Sequence, residues 1–236
     1  MNESFSRNLN NIVSILIFAK TVDMQIYKLT YNPFQENMYV VSDENKNCVI
    51  IDPGCYFREE EQHFMEFIEE YQLKPVALLN THAHLDHIMG NQFITSNFGI
   101  DIYLHPKDKP TFAMAEKSAQ LYGLDQFKAS PEPDKWLEDG QTLQFGKMNF
   151  EVILGPGHAP GHVAFYNAEN KFVINGDILF QGSYGRIDLP GGNMAQLKKT
   201  ITERMFSLPD DTVVYTGHGG ETTIGAEKES NPILWG

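Results

Sequence analysis

The stretch Thr81-His82-Ala83-His84-Leu85-Asp86-His87 concentrates metal-binding chemistry in a few residues. Three imidazoles and a carboxylate fall between positions 82 and 87 of a chain with only eight histidines. Chance clustering on a solvated loop does not account for that density. Neutral imidazole and carboxylate are preferred donors for zinc and related borderline cations. The apolar run Val76–Leu79 just before it reads as a short buried strand. Past its end, His82 and His84 lie two positions apart in extended chain and project to the same side. Asp86 and His87 fall where a helix should begin. Four donors this close cannot easily enclose one ion and still leave an open position, so the segment suggests two metal ions.

Further donors follow in order, each at the end of an apolar segment. Gly155-Pro156-Gly157-His158-Ala159-Pro160-Gly161-His162 is a tightly turned loop, Asn175-Gly176-Asp177 ends one apolar run, and Thr216-Gly217-His218-Gly219 ends another. A lone Gly-His or Gly-Asp is more often a turn than a ligand. In sequence, on loops carried by buried strands, they form a pattern suited to function on a rigid scaffold. His162 reads as a hydrogen-bonding histidine that supports ligands rather than as a ligand itself. His105 reads as a strand end and His63 as part of a polar helix stretch; neither receives a role.

The elements needed to position these groups are legible from periodicity. Strands are expected at Met24–Leu29, Asn37–Ser42, Cys48–Asp52, Val76–Leu79 and Ile102–Leu104. A second set is expected at Thr142–Phe145, Met148–Leu154, Val163–Tyr166, Phe172–Ile174 and Thr212–Tyr215. Phe64, Phe67, Ile68 and Tyr71 among glutamates predict an amphipathic helix over 57–71. Further helices are expected over 86–98 and 194–208, with a short one at the C-terminal end. The middle, from Pro106 to Pro133, carries no clear periodicity. Strands mixed with helices, with hairpins in both halves, predict an α/β layered domain whose two similar halves bring their loops to one edge.

Charge and cysteine usage narrow the function classes. With 31 acidic against 18 basic side chains the formal charge is −13, which argues against nucleic acid or anionic membrane as a partner. Cys48 and Cys55 form no disulfide framework and lack metal-type spacing; they read as buried free thiols in a reducing, cytoplasmic setting. The apolar run at residues 12–19 is too short to span a bilayer. Arg7 is the only basic residue before it and no small-x-small cleavage site follows, so a secretion signal is the lesser reading. Residues 1–23 are expected to be an extension outside the fold, with the domain running over 24–236.

The order Thr-His-x-His-x-Asp-His, then His158, Asp177 and His218, resembles the metal signature of the metallo-β-lactamase superfamily across residues 24–236. The resemblance implies an αβ/βα four-layer sandwich: two mixed sheets flanked by helices, with the metals at one edge. It implies His82, His84 and His158 on one metal, Asp86, His87 and His218 on the second, and Asp177 bridging. It also implies that Asp52 supports the metal loop through hydrogen bonds. Two divalent ions per chain are expected, zinc first, with iron or manganese as alternatives.

Within the superfamily, the segments 176–180, 182–188 and 221–228 resemble a short bacterial glyoxalase II-like (hydroxyacylglutathione hydrolase-like) group. The implied substrate is a small-molecule thioester such as S-lactoylglutathione, attacked at its carbonyl by a hydroxide held between the metals with Asp86 and Asp177. Arg186 is a candidate for a substrate carboxylate, with a salt bridge to Asp188 as the competing reading. The longer glyoxalase II enzymes grip glutathione with a C-terminal helical domain, which the short stretch after His218 leads us not to expect. Gly219-Gly220 also stands where those enzymes carry an aromatic residue. An alternative is a mononuclear iron persulfide dioxygenase, which shares these motifs and a Gly-Arg-x-Asp segment, here Gly185–Asp188; His82, His158 and Asp177 would then hold the iron. A lactone or other ester hydrolase and a non-enzymatic binding module complete the alternatives.

Overall fold

The computed structural model describes residues 13–16 and 24–235. Seven strands make the first sheet, in spatial order β1 (Val13–Leu16), β2 (Gln25–Tyr31), β3 (Glu36–Ser42), β4 (Asn47–Ile51), β5 (Lys74–Leu79), β6 (Ile102–Leu104) and β7 (Lys135–Trp136). β1 to β4 run antiparallel and β4 to β7 parallel. Of the expected N-terminal extension, Val13–Leu16 pairs along β2; the rest of 1–23, including half of the apolar run, lies outside the described residues.

The second sheet holds β8 (Thr142–Phe145), β9 (Met148–Leu154), β10 (Val163–Asn167), β11 (Phe172–Gly176), β14 (Val213–Thr216) and β15 (Thr222–Thr223), ordered β15-β14-β11-β10-β9-β8. Only β11 and β14 in this sheet are parallel. A small hairpin, β12 (Leu179–Phe180) with β13 (Ser183–Tyr184), stands beside it.

Burial sorts into layers. Ile26, Tyr39, Val49, Ile51 and Leu79 of the first sheet meet Phe150, Val152, Phe165, Ile174 and Tyr215 of the second. The outer face of the first sheet, with Tyr27, Leu29 and Ile50, is covered by Phe64, Phe67 and Ile68 of helix α1 (Arg58–Glu70) and Ile94 of α3 (Asn91–Phe98). The outer face of the second packs on Leu197 of α6 (Met194–Lys199), Ile201, Met205 and Ile224 of α7 (Ile224–Ser230). The result is the expected αβ/βα four-layer sandwich. Removing each buried aromatic or aliphatic side chain from water stabilises the fold by roughly 1.5–3 kcal/mol.

Local chemistry sets the helix ends. Glu59, Glu60 and Glu61 occupy the first turn of α1, where the helix dipole favours negative charge. Glu60 also accepts from the backbone N–H of Phe57 at 3.1 Å and of Asn32 at 2.9 Å, tying the helix to the loop after β2.

Three sequence expectations need correction. The helix expected over 86–98 is two helices, α2 (Leu85–Ile88) and α3, separated at Met89-Gly90. Gly90 N–H donates to the Pro53 carbonyl at 2.7 Å, and a Cβ there would sit 2.6 Å from Cys55 Sγ. This close approach to the β4 loop interrupts the helical ladder. The helix expected over 194–208 is α-helical only to Lys199; Thr200–Met205 is π-helical, beginning where Thr200 Oγ1 donates to the Pro156 carbonyl. The unpatterned middle contains α4 (Lys109–Ala113) and α5 (Ala115–Leu121), whose Ala115 and Ala119 pack against Leu85, Ile88 and Leu104.

Candidate metal centre

All seven expected donors converge at one edge of the sandwich. His82 and His84 follow β5, Asp86 and His87 lie on α2, His158 follows β9, Asp177 follows β11 and His218 follows β14. Most of these are carboxyl ends of parallel strands, where open α/β sheets place their ligands. Cross-sheet hydrogen bonds fix the loops to each other. Val163 N–H donates to the Thr81 carbonyl at 2.8 Å, Asn37 N–H to the Gly217 carbonyl at 2.7 Å, and Tyr39 OH to the Thr216 carbonyl at 2.8 Å.

Two donor triads form, His82/His84/His158 and Asp86/His87/His218. In the first, His158 Nε2 lies 2.8 Å from His84 Nδ1 and 3.2 Å from His82 Nε2. In the second, Asp86 Oδ2 lies 3.2 Å from His218 Nε2 and 3.8 Å from His87 Nε2. Asp177 faces both: Oδ1 is 3.5 Å from His87 Nε2, while Oδ2 is 3.5 Å from His158 Nε2 and 3.6 Å from His218 Nε2.

The far nitrogen of most rings is already occupied. His158 Nδ1 pairs with the Arg186 carbonyl at 2.7 Å, His218 Nδ1 with the Phe34 carbonyl at 3.2 Å, and His87 Nδ1 with Asp52 Oδ2 at 3.1 Å. Thr81 OH donates to Asp52 Oδ2 at 2.6 Å, so its oxygen accepts from His82 Nδ1 at 3.0 Å. With Nδ1 occupied, each of these rings turns its Nε2 inward, the position at which it would ligate a cation. Lone pairs about 3 Å apart repel unless a cation lies between them, and tetrahedral zinc spaces its nitrogens by about 3.4 Å. His87 Nε2 and Asp177 Oδ1 are buried without a hydrogen-bond partner, an exposed need that a cation meets. The donor set fits divalent metal ions.

The electrostatics point the same way. Burial lowers the His82 and His84 imidazoles, His84 to about 3, and neighbouring histidines reinforce the effect, so both are neutral donors. Burial opposes charge on His87 too, but Asp177, Asp86 and Asp52 outweigh it and raise its pKa well above the usual imidazole range. Burial would raise the carboxyls of Asp86 and Asp177, yet His87 and its neighbours hold both below the ordinary range. A bound cation takes over from the histidine proton as partner to these carboxylates.

Residues around the donors account for their rigidity. Asp52 adopts φ 49°, accepts from Thr81 N–H at 2.7 Å, and reaches both His87 and the Thr81 hydroxyl. A third donor grouping, Asp52 with His82 and His87, lies on the far side of these rings and is occupied by those hydrogen bonds. His162 stacks on His82 with centroids 4.4 Å apart. Its Nε2 accepts from Asp177 N–H at 3.0 Å while Nδ1 pairs with the Val163 carbonyl, so it positions rather than ligates. Gly217 leaves room for the centre: a Cβ there would fall 2.1 Å from Asp177 Oδ1 and 2.8 Å from His87 Cε1. His63 bonds Tyr31 OH, and His105 accepts from Lys107 N–H, both apart from the donors.

Two residues escaped the sequence reading. Asp108 accepts from Ala83 N–H at 2.5 Å and Gly161 N–H at 3.0 Å, lashing the His82–His84 loop to the His158–His162 loop. It lies in the unpatterned middle and carried no signal. Glu36 is fully buried with neither carboxylate oxygen hydrogen-bonded, 3.8 Å from His87 Nδ1. Burial raises its pKa well above the usual carboxylate range despite His87. A carboxylate opening β3, ahead of the apolar run Met38–Val41, was the available clue.

Arg186 contributes its carbonyl to His158, while its guanidinium is held by Asp188 at 2.7 and 2.6 Å. Beside the donors opens a pocket of about 700 Å³ between α4–α5 and the 180–190 segment.

A four-layer sandwich with five histidines and two aspartates at its loop edge defines a metal-centred hydrolase architecture. Residues 31–218 match the metallo-beta-lactamase superfamily, and the chain belongs to it. It is 39% identical over 213 residues to the hydroxyacylglutathione hydrolase GloC of Haemophilus influenzae, covering 89% of this chain and 98% of that one. Among solved structures, the BLEG-1 B3 metallo-beta-lactamase superposes with TM-score 0.82 at 36% identity, over 89% of this chain and all (100%) of that one. TTHA1623 in a di-iron-bound form superposes with TM-score 0.79 at 40% identity, over 88% and 99%.

Proposed function

We propose that the chain is a dinuclear metal-dependent hydrolase acting on small-molecule thioesters. The observation that carries the reading is the pair of donor triads on either side of Asp177, opening onto the pocket. His82, His84 and His158 would hold one divalent ion, Asp86, His87 and His218 the other, with one Asp177 oxygen toward each. When bound, such a pair of cations lowers the pKa of water toward 7 and polarises an acyl carbonyl.

The chain's own groups hold that arrangement. Asp52 and Thr81 keep His87 and His82 in the tautomers that direct Nε2 inward, and Asp108 keeps the two ligand loops in register. A thiolate leaving group, with a solution pKa near 8.5, needs no protonating residue, and with water as the nucleophile no serine or cysteine would be required. Burial raises Cys55 well above the ordinary thiol range, which suits a bystander. We assign the activity to residues 24–236. The two buried free thiols are in keeping with a reducing cytoplasm. Likeness to GloC supports a thioester such as S-lactoylglutathione as first substrate to try.

The test is metal analysis of the protein purified without chelator, paired with a thioester hydrolysis assay. Two metals per chain with thioester turnover supports the reading. One iron per chain, with oxygen consumed and sulfite formed from a persulfide, would replace it with the dioxygenase.

A further inference from the structure

The pocket wall facing the donors is built mainly from apolar side chains. Phe34, Met114, Leu121, Tyr122, Phe180 and Tyr184 all line it. Met114, Leu121 and Tyr122 are 36%, 79% and 53% exposed, although large apolar side chains elsewhere are mostly buried. Tyr122 packs edge-on against Phe34 with centroids 5.4 Å apart, making a continuous aromatic and aliphatic surface. Covering such surface with an apolar group is favourable, and an apolar concavity beside reactive groups is how small-molecule sites select apolar ligands.

Charge in the pocket argues in the same direction. Among the described lining residues Arg186 is the one permanent cation, and Asp188 engages its Nε and Nη2. The carboxylates present, Asp86 and Asp177, belong to the donor cluster. A glutathione thioester brings two carboxylates and an ammonium, which are bound well only by charge-assisted partners. The wall offers hydroxyls instead, from Ser118 and Ser183, each suited to a neutral hydrogen bond, while Thr111 donates its own to Asp108 at 3.1 Å.

We infer, resting on the thioester-hydrolase reading, that the pocket takes thioesters whose thiol carrier is apolar and uncharged, in preference to glutathione. The exposed wall of α4–α5 would close over that carrier while the acyl carbonyl lies at the donor cluster.

The test compares two substrates with one acyl group on the protein as purified, with its metal content measured: the S-benzyl thioester of lactate and S-lactoylglutathione. Each kcat/KM is normalised to that ester's own rate with free hydroxide. The benzyl ester should lead by tenfold or more. Leu121→Arg should cut that lead at least fivefold with metal content and melting temperature unchanged. A glutathione ester that equals or beats the benzyl ester, or a ratio unmoved in Leu121→Arg, overturns the inference. Hydrolysis of neither ester by protein carrying two metals would sink the thioester reading instead. Calorimetric binding of the matching thioethers, benzyl and glutathionyl 2-hydroxypropyl sulfides, then judges the wall by itself. Tighter benzyl binding keeps the apolar assignment, and tighter glutathionyl binding overturns it.

Discussion

The donor cluster and the α4–α5 wall lie side by side yet are built on opposite principles. Each donor at the cluster is held by at least one further hydrogen bond, a stacked ring or a rigid strand end, and most are buried. The wall instead presents Leu121 and Tyr122 largely to solvent, on short helices that follow one another with almost no break. Chemistry that depends on placing lone pairs within a fraction of an ångström needs such support. Selection of an apolar group needs only shape and area. The same fold edge can therefore keep its reaction while its substrate changes.

That contrast can be broken from either side. The largest effect should come from Asp177→Ala, which removes the one group facing both triads. Thioester turnover should fall by on the order of 10³-fold or more, with less than two metals retained per chain by elemental analysis. Activity near that of the parent would break the cluster half of the comparison.

Asp52→Ala should come next. It frees the His87 ring and the Thr81 hydroxyl while leaving all seven donors in place, so metal affinity should drop by about 10- to 100-fold in a chelator competition. Asp108→Ala should act mainly on stability. It strands the buried N–H groups of Ala83 and Gly161 at roughly 1–3 kcal/mol each, lowering the melting temperature by roughly 4–24 °C. Leu121→Ser should alter stability by no more than about 0.5 kcal/mol in denaturant unfolding, since its side chain is largely in water. A strong destabilisation would mean that the wall is as constrained as the cluster.

The smallest expected change is chemical. Burial pushes the Cys48 thiol up to about 12 and raises Cys55 well above its ordinary value. A pKa raised above pH leaves the thiol protonated, with a Cys48 thiolate fraction of about 10⁻⁴ at pH 8. Native protein should resist iodoacetamide over hours by mass spectrometry, and both cysteines should react after unfolding.

Much of the scaffold was readable because strands buried on both faces leave unbroken apolar runs. Cys48–Ile51 and Phe172–Ile174 are examples, and α1 shows its periodicity through Phe64, Phe67 and Ile68. What was not readable arises from contacts between distant segments. The break at Gly90 depends on Pro53 and Cys55, and the π-helical turn begins where Thr200 meets Pro156. Helix α5 packs through two alanines, Ala115 and Ala119, against Leu85, Ile88 and Leu104, a pattern too short to register.

By itself the sequence singled out the candidate donors, because metal ligands must be particular residue types and strand ends place them on loops. Alternation and continuous apolar runs also marked out a layered α/β domain with two similar halves, and the two-sheet sandwich followed from the family resemblance. The grouping of the donors into two triads about Asp177 was expected only from the family resemblance, and only the tertiary structure decided that Asp108 and Glu36 belong beside them. It also decided that Arg186 is engaged by Asp188 and that an apolar wall confronts the site. Those facts are distances between residues far apart in the chain. They exist only once two packed sheets bring their loop ends to one edge.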